Sequence, residues 1–141
     1  MPVSTFFVTA IVVGIVVNVF DFLVHGILLQ GPLYSKLPLM RTDASLPLLI
    51  VTDFVAAVVF VWVYQRVRPS FPPGAAGGAT FGLYAGVLAS FPTWIACNLL
   101  FNGFTYALAW AWILTGILWA VLAGAVTGAL ASRSAPTRTA A

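Results

Sequence analysis

Charge is scarce in this sequence. Three of its 141 residues are acidic, namely Asp21, Asp43 and Asp53, six are Lys or Arg, and His25 is its one histidine. Charged residues thus make up 6% of the chain, against about 25% in a soluble domain. So few charges cannot cover a water-facing surface, which makes lipid the main solvent. The net charge of +3 is spread between apolar runs, which excludes a nucleic-acid-binding patch. Cys97 is the single cysteine, so no intrachain disulfide and no CxxC pair can form, and disulfide-exchange chemistry is excluded. No Walker A loop, HExxH, paired histidines, dinucleotide fingerprint or GxSxG elbow is present, and no cofactor is indicated. No Lys or Arg precedes the first apolar run and no small-residue cleavage site follows it, so the run reads as a retained span rather than a signal peptide.

What remains is apolar: 62% of residues are hydrophobic and the mean hydropathy is +1.07. A hydrocarbon layer of about 30 Å needs about 20 residues of helix to cross it. Four runs are long enough, at about 5–29, 46–64, 76–101 and 106–130. Helix is the only choice for them, because lipid leaves no open backbone group satisfied and no alternating barrel pattern is present. The expectation is an all-α membrane protein: one four-span antiparallel bundle over 1–132, built from two helical hairpins, with a polar tail at 133–141. Such layouts are common among small bacterial membrane proteins, and an architecture alone licenses no function.

The connections carry the orientation signal. Residues 30–45 form the longest link and hold Gly31, Pro32, Lys36, Pro38, Arg41 and Asp43, with Leu33, Tyr34, Leu37, Leu39 and Met40 among them. It reads as a loop on the headgroups, with an interfacial helix or a lid over the bundle as the alternative. The second link, 66–74, holds Arg66 and Arg68, and the tail holds Arg133 and Arg138. These four basic residues fall on one side, opposite Lys36 and Arg41, which predicts an inner (plasma) membrane protein with both termini cytoplasmic.

Small residues recur at four-residue spacing: Gly74, Gly78, Gly82, Gly86 and Ser90 in the third span, and Gly116, Ala120, Gly124 and Gly128 in the fourth. Such seams let helices approach closely in lipid. The simplest pairing is between these two spans. The alternative uses one seam for a homo-oligomer or a membrane-protein partner. Trp110 and Trp112 fit an interfacial belt, whereas Trp94 and Trp119 read as core volume. A faint repeat links Asp21–Gly26 with Asn98–Gly103, although Asx and Gly also end helices for capping reasons.

The candidate site lies late in the first span. At 100° per residue Asn18, Asp21 and His25 share a face about 60° wide. Ionisable groups at membrane depth cost roughly 2.5–3.5 kcal/mol on insertion scales, so they face the interior with partners. Compared by depth, Asp53 and Asn98, with Ser90 and Thr93 below it, are expected to meet Asp21 and His25 in the outer half of the bundle. Four readings fit: a hydrogen-bonded network that sets helix register; a proton or ion relay using His25, whose ordinary range spans neutrality; a metal site of Asp21, His25 and Asp53, a bis-histidine haem needing a second subunit; and catalysis on a lipophilic substrate with His25 as base, joined by Ser90 or Tyr34. The working expectation is a pocket for a ligand, ion or proton at Asn18, Asp21, His25, Asp53 and Asn98. The rivals are an accessory subunit that packs through its glycine seams and an integral-membrane enzyme.

Overall fold

The computed structural model describes residues 2–41 and 43–133. It is an all-α bundle of four long helices: α1 (Val3–Asp21), α2 (Leu46–Val67), α3 (Ala75–Leu100) and α4 (Tyr106–Arg133). Each is long and apolar enough to cross a bilayer, and the protein is an integral membrane protein. Arg138 and the rest of the tail after Arg133 lie outside the described residues. Arg133, expected in that tail, closes α4, and Arg66, expected in a link, sits in the last turn of α2 with its guanidinium 4.7 Å from the centre of the Trp62 ring.

The helices run up and down, so one end of the bundle carries the 30–45 connection and the other carries the two ends of the helical chain. They are called here the connection end and the terminal end. The closest packing is α3 on α4, followed by α1 on α2 and α1 on α4. Small residues explain the first. A Cβ on Gly78 would strike the backbone carbonyl of Gly124, one on Gly82 that of Ala120, and one on Gly124 that of Gly78. A Cβ on Gly128 would lie 3.0 Å from the Gly78 Cα. The two backbones therefore touch directly, an approach open at these positions only to glycine. Gly74 supports the entry to α3 with φ at +89°, a conformation costly for residues with a Cβ, and its carbonyl accepts the Gly78 N–H.

A second packing layer joins α1, α2 and α4 through Ala10, Val13, Val17, Ala57, Val61 and Ala123. The terminal end is closed by Tyr64 and Ala131 with the Phe60, Phe71 and Phe81 rings, of which Phe60 and Phe81 meet edge to face at 5.1 Å. Toward the connection end α2 stays beside α1, with Phe54 against Gly14 and the Ile50 carbonyl near the Asn18 amide, while residues 46–52 are all exposed. α1 changes there. Beyond Asp21 it continues as a π-helix, Phe22–Leu28, whose wide turns use more residues each than an α-helix. The chain then turns through a 3₁₀ segment, Tyr34–Lys36, and folds back over the bundle with Tyr34 buried. Of the two readings of this link, the structure has the lid.

The two stretches compared as a repeat take different forms. Gly103 has φ at +86° in a tight turn, while Gly26 lies inside the π-helix with no positive φ.

Candidate functional site

The folded-back connection, the parting of α2 from α3 and the small residues of α3 and α4 enclose a cavity of about 580 Å³. It reaches from mid-bundle toward the connection end. Asp21 and His25 line it from the α1 side, Tyr34 and Met40 from the lid, and Phe60 from α2. The opposite wall is Ala85, Gly86, Ala89, Ser90 and Trp94 of α3 with Trp112, Thr115, Gly116, Trp119 and Ala120 of α4.

Its polar wall is one connected line. The Trp112 indole Nε1–H donates to the Tyr34 hydroxyl at 2.7 Å, and that hydroxyl also bonds Nδ1 of His25. An indole nitrogen can only donate, so Tyr34 accepts there and is left to give its own proton to His25. Nδ1 is then the acceptor, and the neutral ring carries its proton on Nε2. That nitrogen stands 3.7 Å from Oδ1 of Asp21, near enough for electrostatic attraction and too far for a good hydrogen bond. The Asp21 carboxyl in turn interacts with the Asp53 carboxyl of α2 and the Trp119 indole. Burial pushes the Tyr34 phenol above its ordinary range and the nearby Asp21 carboxyl adds to the rise, while the Trp112 indole pulls it back; Tyr34 therefore stays a donor. Lid and helix rings lie parallel, His25 over Tyr34 with centroids 5.9 Å apart.

The π-helix gives the line its geometry. Its wider turns make every side chain after Asp21 lag behind an ideal α-helix, so Asp21 and His25 both reach the cavity. Asn18 does not. Its amide donates to the Gly14 carbonyl at 2.8 Å and reaches toward Ile50 of α2. Asn98 is also elsewhere: its amide donates to the Phe104 carbonyl at 2.6 Å and braces the α3–α4 turn. Thr93 is exposed and turned back on the Ala89 carbonyl. Asp53 meets Asp21 without lining the cavity. Among the described residues no three His, Cys, Asp or Glu side chains assemble as a metal site. His25 bonds Tyr34 through Nδ1 and faces Asp21 through Nε2, and Asp53 meets Asp21.

Sequence reasoning assigned Trp112 to an interfacial belt and Trp94 and Trp119 to core volume; all three border the cavity. Trp94 and Trp112 meet edge to face at 4.6 Å, with Phe104 stacked parallel to Trp94 at 6.0 Å. The signal that could have marked Tyr34 is an aromatic with a polar tip among leucines in a connection otherwise rich in Pro, Gly and charge. The exposed pair of Arg41 with Asp43, at 2.8 and 2.9 Å, holds the Asp43 carboxyl below the usual carboxylate range and is remote from this line.

No family model matches the chain, and neither the curated proteins nor the solved structures contain a significant match to it.

Proposed function

We propose that this membrane protein binds a small lipid-soluble molecule in the connection-end cavity and holds its polar part at His25, Asp21 and Tyr34. The observation that carries this reading is the hydrogen-bonded line Trp112–Tyr34–His25, with Asp21 beside it, bordering an otherwise apolar cavity of about 580 Å³. Ligand sites run to 300–1,000 Å³ and combine apolar walls with a few convergent polar groups. A network that only set helix register would be enclosed by packed side chains; this one borders a space. The test is binding of the solvatochromic probe Nile red to the protein in lipid nanodiscs. Saturable binding that His25→Ala lowers supports the reading, and the absence of saturable binding ends it.

The order Tyr34, His25, Asp21, Asp53 favours proton exchange as a second activity of the same line, because histidine is the side chain that exchanges protons near neutral pH. Two carboxyls facing each other can hold a proton or a cation between them. Proton uptake by proteoliposomes that Asp53→Asn abolishes would support it.

Internal packing of the glycine seams weighs against the accessory reading. Gly78, Gly82, Gly124 and Gly128 are spent against each other inside the chain, and a partner could reach them only by opening the α3–α4 hairpin. For orientation we propose an inner-membrane protein with its terminal end in the cytoplasm. The terminal end carries Arg66, Arg68 and Arg133, against Lys36 and Arg41 at the connection end. In a Cys97→Ala background, an impermeant maleimide added to intact cells should label Ser45→Cys and spare Ser70→Cys.

A further inference from the structure

The cavity has a shape and a second polar edge that the line on α1 does not use. Across from His25, Ser90 is 7% exposed, and its hydroxyl has no hydrogen-bond partner among the described residues. Other hydroxyls on these helices turn back on their own backbone, as Thr93 does on Ala89 and Thr115 on Ala111. Ser90 instead reaches over Gly116, where a Cβ would meet its Oγ, and borders the cavity. The Ser90 hydroxyl is thus left to donate into the cavity, where a ligand acceptor can take its proton.

The wall around Ser90 is low and flat. Ala85, Gly86, Ala89, Gly116 and Ala120 offer almost no side chain. Rings border it: Trp94 beside it on α3, Trp112 and Trp119 on α4, and Phe60 of α2 edge to face on Trp119 at 6.0 Å. A low floor beneath aromatic walls makes a slot, and a slot between rings favours a ring, since aromatic pairs gain about 0.5–1.5 kcal/mol beyond their buried area. Two donors border the slot on its two sides: Nε2–H of His25, which Asp21 at 3.7 Å does not consume, and the Ser90 hydroxyl.

Resting on the binding reading above, we propose that the ligand is a flat, lipid-soluble ring with acceptor oxygens on two edges, the chemistry of a quinone-type diketone, one oxygen taking the His25 Nε2–H and the other the Ser90 O–H. The apolar walls take the ring faces. A ring with negligible solubility in water would reach the cavity from the bilayer.

The test is a titration of the protein in nanodiscs with a decyl-substituted benzoquinone, read by tryptophan quenching. Decylbenzene serves as the flat probe without oxygens and dodecanol as the linear polar probe. His25→Phe and Ser90→Ala should each weaken quinone binding about tenfold, the loss of one hydrogen bond at about 1.4 kcal/mol. Ala89→Leu, which fills the slot from an exposed position, should abolish it while circular dichroism shows an intact fold. Quinone binding that His25→Phe and Ser90→Ala leave unchanged would show partition into lipid and overturn the proposal. Equal binding of decylbenzene would overturn the role of the two oxygens. Dodecanol binding that Ala89→Leu removes, with no quinone binding, would overturn the ring class and leave the pocket standing. Saturable binding of no probe would overturn both.

Discussion

The α3–α4 pair uses the same small residues in two ways. At the terminal end Gly78, Gly82, Gly124 and Gly128 vanish into backbone contact. From mid-bundle toward the connection end Gly86, Ala89, Gly116 and Ala120 form the floor of a cavity. Residue type does not separate the two halves; the neighbours do. At the terminal end α2 supplies Phe60, Val61 and Tyr64 and closes the bundle. At the other end α2 stays beside α1, and what covers the small residues is the lid through Tyr34 and the ends of α1 through His25 and Asp21. One seam is thus structural for half its length and part of a site for the rest.

The contrast can be broken most severely in the closed half. Gly82→Leu or Gly124→Leu drives a side chain into a backbone carbonyl with nowhere to relax, and should cost about 3 kcal/mol or more, leaving no monodisperse folded protein on size exclusion in detergent. Gly116→Ala meets only the movable Ser90 side chain and should cost about 1 kcal/mol by thermal unfolding. Equal losses from both would mean that the two halves are packed alike.

The next effect belongs to the lid. Tyr34→Phe leaves the Trp112 indole and the His25 ring without their shared partner, and should cost about 1–3 kcal/mol and shift the tryptophan emission. Tyr84→Phe, on an exposed face of α3, should change stability by less than about 0.5 kcal/mol.

The same phenol sets a pH dependence. Its value is raised in the fold, so the protonated form is favoured there. Its contribution to stability is fully present below the unfolded value of about 10 and is lost as pH rises through the raised one. Tyr34 should therefore titrate late in an ultraviolet titration, and Tyr34→Phe should diminish the late phase. The smallest effect is expected at the exposed Arg41–Asp43 pair: Arg41→Ala should leave the melting temperature unchanged, as isolated surface pairs contribute little.

Much of this was legible in the sequence, for physical reasons. Lipid allows few solutions to an apolar run of span length, so the number of helices and the approximate ends of each could be read directly. The four-residue spacing of glycines already paired α3 with α4. Asp21 and His25 stood out because charge at membrane depth is costly. What could not be read depended on contacts far apart in the chain or on a departure from ideal geometry. Tyr34 and Trp112 are 78 residues apart, and nothing local to either announces the bond. Placing Asn18 beside His25 assumed uniform 100° steps, which the π-helix from Phe22 to Leu28 breaks. Asn98 was placed by depth alone, and depth does not say which way an amide points; it donates to the Phe104 carbonyl in the α3–α4 turn.

His25 is the only histidine in the chain, so its ring can be observed without assignment. Solid-state ¹⁵N NMR of histidine-labelled protein in bilayers, at about pH 8 and so above the ordinary histidine range, reports which nitrogen bears the proton. The expected spectrum shows the neutral ring protonated on Nε2, with Nδ1 shifted as an acceptor, and Tyr34→Phe removes that shift. A ring protonated on Nδ1, or one indifferent to Tyr34→Phe, would contradict the hydrogen-bonded line on which the site is built.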